Sequence, residues 1–134
     1  MDKVIIRQNR NFEFEISAQN EGEDKTQQVD YIYELTRYTM MLASLGFCTG
    51  IVLHTYAQHH DVDLAWVELT LIYHREESGE GRGDYTEWIE EKMQLEGDLS
   101  AELRERLRRI GHHCSIRQML EEGIAIRSSS ADSA

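Results

Sequence analysis

Cys48 and Cys114 are the residues of this chain best suited to chemistry, and no other cysteine accompanies them in its 134 residues. They lie far apart in sequence, so no Cys-x-x-Cys redox or metal motif is present. If they act, they act as a pair that folding brings together. Each sits in an apolar segment that reads as helix: Met40 to Leu53 for the first, Ile110 to Leu120 for the second. A cysteine reacts as its thiolate, of which only a few per cent exists at neutral pH when the pKa is near its ordinary ~8.5. A nearby cation raises that fraction. Taken singly, a buried free cysteine is more often a small hydrophobe than a reactive group.

The other reactive-looking residues are weaker candidates. His112-His113-Cys114 invites a metal reading, but successive helical residues point about 100° apart and three in a row cannot chelate one ion. A site borrowing His54 or His59 fits zinc's taste for Cys and His, yet His59 and His60 also read as solvated residues at a helix end, where a cationic side chain suits the dipole. Arg104, Arg106, Arg108 and Arg109 read as a solvated helix face paired with Glu102 and Glu105. Trp66 and Trp88 read as packing residues, and Met40-Met41 as core. The sequence calls for no cofactor and no metal.

The balance of charge narrows the partners. A formal net charge of −11 opposes binding to nucleic acid, which demands a basic face, and to an anionic membrane surface. Met1 to Ile6 runs straight into a strand-like segment with no leader pattern. The longest weakly polar run, Met40 to Leu53, is too short to span a bilayer. The expectation is a soluble, cytoplasmic protein whose thiols are reduced at rest, so that any disulfide is transient or catalytic. The chain contains no proline; nothing in the sequence explains this.

The elements that must position the cysteines follow from periodicity. Phe12 to Ile16 alternates apolar and acidic residues as a half-buried strand. Val4 to Ile6 is its expected partner across a turn at Gln8 to Asn11, and Gln27 to Tyr33 reads as a third short strand. A helix apolar on every side, hence buried, is placed at about Arg37 to His59, with Thr36 or Thr39 as its cap. Val67 to Tyr73 and Ile89 to Leu95 read as an antiparallel pair across a loop at Ser78 to Asp84. A helix starting at Asp98 or Ser100 and interrupted at Gly111 follows. A second helix, Cys114 to Glu122, is closed by Gly123, and Ile124 to Ile126 reads as a last strand. This order is α+β, an antiparallel sheet with a buried central helix, in one domain over residues 1–127 with a disordered tail at 128–134. One chain is hard pressed to cover such a helix, so an intertwined homodimer is expected.

The two cysteine segments together resemble the OsmC/Ohr family of thiol-dependent peroxidases. That family carries a pattern close to Pro-Tyr-Glu-Leu-Leu-Leu-Ala-Ala-Leu-Gly-Ala-Cys-Thr at its central helix; here the run is Arg37-Tyr38-Thr39-Met40-Met41-Leu42-Ala43-Ser44-Leu45-Gly46-Phe47-Cys48-Thr49. Its second cysteine lies in Cys-Pro-Val-x-x-x-Leu-x-x-Gly-Val-x-Ile; here the run is Cys114-Ser115-Ile116-Arg117-Gln118-Met119-Leu120-Glu121-Glu122-Gly123-Ile124-Ala125-Ile126. The resemblance covers residues 30 to 127. It implies an OsmC-like fold and a peroxidase in which Cys48 attacks a small-molecule hydroperoxide and Cys114 resolves the product as a disulfide, recycled by an external thiol reductant. That chemistry needs the two Cα atoms about 4.4–6.8 Å apart.

The departures from the pattern bear on activity. The family's glutamate, which positions an arginine beside the reactive thiolate, is Thr39 here; its helix-start proline is Arg37, and the proline after the second cysteine is Ser115. Arg7, Arg10 and Arg37 are candidates for the arginine by location alone. The rival functions are an OsmC-fold small-ligand-binding or redox-sensing protein with little peroxidase activity, and a metal-binding module using Cys and His.

Overall fold

The computed structural model describes residues 1–77, 79 and 83–131. Most of the loop expected at Ser78 to Asp84, and the last three residues of the tail, lie outside that set. Strands β1 (Asp2–Asn9), β2 (Phe14–Gln19), β3 (Gln27–Gln28), β4 (Leu64–Glu77) and β5 (Tyr85–Gly97) form one antiparallel sheet in the order β3-β2-β1-β4-β5. Among the described residues three α-helices, α1 (Arg37–His59), α2 (Ala101–Gly111) and α3 (Ser115–Glu122), accompany the sheet, with a short 3-10 turn at Ile32–Glu34 before α1. This is the α+β arrangement of an antiparallel sheet and a central helix.

Alternation decides which face of the sheet meets the helix. Along β1, Asp2, Val4, Ile6 and Gln8 are buried while their neighbours are half-exposed. Along β4, Val67, Leu69 and Leu71 are buried. Because side chains alternate across a strand, these residues share the face on which α1 lies. Two contiguous clusters result, one around Leu53, Leu69 and Leu107, the other around Val4, Leu42, Leu71 and Cys114. The approach is close at Gly46: a Cβ there would stand 2.8 Å from Ile6 Cγ2 and 3.0 Å from Leu71 Cδ1.

The cap of α1 is Thr36. Its N–H donates to Thr39 Oγ1 at 2.9 Å, and Thr39 Oγ1 donates to Asn20 Oδ1 at 2.6 Å. Ser100 caps α2 by accepting from the Leu103 N–H at 3.1 Å. Gly123 ends α3 with φ +83°, and its N–H returns to the Met119 carbonyl, a backbone position that suits glycine.

Three sequence expectations need correction. The expected third strand at Gln27 to Tyr33 is only the two residues of β3, after which Ile32–Glu34 turn as a 3-10 helix. Ile124 to Ile126 is in no strand, and Ile124 and Ile126 are 68% and 87% exposed. Alternation reports an extended backbone; it does not say whether a free strand edge lies within reach. Finally, α1 is buried on one side rather than all round. Met40, Ser44 and Phe47 are exposed along the side turned from β1 and β4. At 23 residues α1 is also long and apolar enough to cross a membrane by length and composition alone, which the run Met40 to Leu53 is not. In this fold its other side forms the core.

Candidate active site

Met41, Leu45, Cys48 and Val52 recur at the spacing that places them on one side of α1. This side faces α3, whose Ile116 joins the same cluster as Cys48 and Cys114. Cys114 is the N-cap of α3 and fully buried; Cys48 is half-buried. The pair separated in sequence is therefore brought together in one cluster at the start of α3, both as free thiols.

The two thiols are not equivalent. Burial opposes ionisation of Cys48, but the Cys114 thiol, the N–H groups of Ile116 and Ser115 and the Ser115 hydroxyl all favour its thiolate, and together they hold its pKa below the ordinary value. These are the unsatisfied donors of a helix N-terminus, where a thiolate is stabilised. Cys114 goes the other way: burial raises its pKa, and so does its role as donor to Cys48. The Arg117 N–H partly opposes this rise, without closing a capping bond to the Cys114 side chain. The start of α3 thus favours the thiolate of Cys48, while burial opposes ionisation of Cys114 beside it.

None of the three arginines suggested by location stands at Cys48. Arg7 is on the outer face of the sheet, over Trp66 and between Glu68 and Glu96. Arg10 pairs with Asp63 at 2.8 Å. Arg37 begins α1 over the Tyr38 ring, eleven residues before Cys48, or about 16 Å of helix. The strand alternation that buries Val4 and Ile6 necessarily turns Arg7 away.

A different arginine enters the site. Arg117 lies in the first turn of α3 and pairs with Glu91 of β5, both side chains 15% exposed. Its Nε is buried with no partner among the described residues. Sequence reasoning missed this pair, although Glu91 carried a signal. It shares its strand parity with Ile89 and Met93, so alternation alone puts a carboxylate on the apolar face.

Beside the thiols, a cleft of about 300 Å³ opens between α1, α3 and the β4–β5 edge, lined by Met41, Leu45, Ile89, Leu120 and Arg117 among others. Leu45 is one turn before Cys48 on the same side of α1, a rise of about 4.5 Å along the axis; neither cysteine is among the residues lining the cleft. The histidines are elsewhere. His54 is 1% exposed and shares a hydrogen with the Gln8 carbonyl at 2.8 Å; His59 turns to the Thr55 carbonyl. Among the described residues no group of three or more His, Cys, Asp or Glu side chains is placed to hold a metal ion.

Fold and site together define a class: a small α+β protein in which a thiol on the central helix meets a second thiol at the start of a following helix. The family model described as "OsmC-like protein" matches residues 35–129, and the chain belongs to that family. The crystal structure of an OsmC-like hydroperoxide resistance protein from Jannaschia sp. CCS1 has the same fold, with a TM-score of 0.58 over 98% of this chain and 96% of that one, at 15% identity. No curated protein matches the sequence.

Proposed function

We propose that the protein reduces hydroperoxides with the Cys48–Cys114 pair. The meeting of Cys48 and Cys114 in one cluster at the start of α3 carries this reading, and the donors there favour the Cys48 thiolate. The hydroperoxide resistance named for the Jannaschia structure supports it.

The Cys48 thiolate attacks the terminal, hydrogen-bearing oxygen of ROOH. An S–O bond forms as the O–O bond breaks, sulfur loses two electrons, and the leaving alkoxide takes a proton from solvent to become ROH. Cys114 then attacks the sulfenic acid, forming the disulfide and releasing water, which protects Cys48 from further oxidation. An external dithiol restores both thiols. The setting is cytoplasmic, where such a reductant keeps the resting pair reduced.

The working unit is a homodimer. The exposed side of α1 borders an apolar groove of about 380 Å³ containing Phe14, Ile32, Leu35, Met40 and Phe47, the kind of surface that marks an interface. Light scattering at micromolar concentration should report twice the chain mass; a monomer overturns this part.

The test of chemistry is substitution of each thiol. Cys48→Ser should abolish peroxide consumption. Cys114→Ser should allow one turnover, block recycling and favour over-oxidation. Peroxide reduction by Cys48→Ser at the wild-type rate overturns the assignment. A second reading, redox sensing with little turnover, is favoured by the absence of Arg7, Arg10 and Arg37 from the thiol. A single oxidation that an external dithiol reverses only slowly would select it.

A further inference from the structure

We infer that Glu91 is a positioning residue for Cys48: through its ion pair with Arg117 it ties the first turn of α3 to the sheet and so holds the donors of that turn against the thiol. The inference rests on the peroxide reading above, in which Cys48 is the nucleophile, and adds a residue which that reading does not use.

Helix α3 is lightly held. It has eight residues, and none of them is fully buried; a helix this short does not stand on its own. Ile116 packs into the cluster that contains both cysteines, but Leu120 is 43% exposed. The chain on either side does little to fix it. His112 and His113 before it are exposed, and residues 124–131 after it are exposed and in no helix or strand.

The polar tie is Arg117. Its Nη2 pairs with Glu91 of β5, both side chains being largely out of water. This is the one ion pair that α3 makes among the described residues. Glu91 is a fixed post, standing opposite the fully buried Leu71 in the β4–β5 ladder. Arg117 follows Cys114 by three residues, in the turn whose N–H groups at Ser115 and Ile116 favour the Cys48 thiolate. Hydrogen bonds weaken steeply with misalignment, so those donors serve Cys48 only while the turn stays in place. The sign of the effect separates positioning from simple charge. As a bare anion Glu91 would oppose a nearby thiolate, and its removal would make Cys48 more reactive. As a tether it does the reverse.

The test is the pH profile of iodoacetamide labelling at Cys48, read by mass spectrometry in the reduced full-length protein. Glu91→Gln should shift the profile to higher pH and slow labelling at pH 7 by about five-fold or more, as expected when hydrogen bonds to a charged group are lost. Hydrogen exchange at residues 115–118 should quicken several-fold, with the amides of α1 unchanged. Glu91→Asp keeps the charge but shortens the arm, and should fall between Glu91→Gln and wild type. One nitrogen makes the contact, so Arg117→Lys can preserve it and should stay within about two-fold of wild type. Equal or faster labelling in both Glu91 variants, unchanged exchange at 115–118, or an Arg117→Lys protein as slow as Glu91→Gln overturns the inference while the peroxide reading stands. A wild type that consumes no hydroperoxide, beside a Glu91→Gln that behaves as stated, overturns the peroxide reading and leaves the tether.

Discussion

Ser115 directly follows Cys114, and both its N–H and its hydroxyl favour the thiolate of Cys48 across the α1–α3 contact. The family pattern has proline at this position, which has no N–H to offer. The chain that lacks the family's glutamate thus has a donor pair that the pattern does not supply. Ser115→Pro should fit the first position of α3, where proline is favoured, while removing both donors. The expected result is a higher apparent Cys48 pKa and about ten-fold slower alkylation at neutral pH, in line with roughly 1.5 kcal/mol for a hydrogen bond to a charged group. Ser115→Ala should have a smaller effect. The pH dependence of iodoacetamide labelling, read with Cys114 replaced by serine in every variant, checks this.

Restoring the family glutamate should not help. Thr39 is fully buried and bonded to Asn20, and none of Arg7, Arg10 and Arg37 lies where it could both meet a carboxylate at position 39 and reach Cys48. Thr39→Glu would bury a charge without a partner. The expected outcome is a loss of about 3 kcal/mol or more, with no gain in Cys48 reactivity. Urea unfolding and the alkylation profile read the two halves separately, and faster alkylation would refute the argument.

His54 makes stability depend on pH. Burial lowers its pKa, the hydrogen bond to the Gln8 carbonyl partly opposes this, and Arg10 adds to the lowering. The unfolded chain therefore binds more protons, so stability rises with pH across this group's range and falls as pH drops through the unfolded value of about 6.5. The urea midpoint should decrease between pH 8 and pH 5.5. In His54→Gln it should start lower and change less over the same interval.

Gly46→Ala tests the helix–sheet contact. The added methyl would press on Ile6 and Leu71, both in the core and neither free to swing aside. Overpacking of this kind costs about 1–3 kcal/mol. The melting temperature should fall, with the far-ultraviolet spectrum unchanged.

Much of the fold was legible in the sequence. The bounds expected for the central helix, Arg37 to His59, are those of α1, because a cap, a long apolar run and a charged end are local signals. The β4–β5 pair and the end of α3 at Gly123 were legible for the same reason. The short β3, the unpaired Ile124 to Ile126 and the one-sided burial of α1 were not. Each depends on which neighbour is within reach, and periodicity contains no neighbours.

The sequence by itself determined the α+β order, the two cysteine-bearing segments and the loss of the family's carboxylate at Thr39. These are matters of residue type and local period. Only the tertiary structure decided that the start of α3 and Ser115 face Cys48, that Arg117 meets Glu91, and that Arg7 is turned to the outer face. The physical reason is that a thiol's pKa is set by donors and burial within a few ångströms, and those are supplied by segments that lie far apart along the chain.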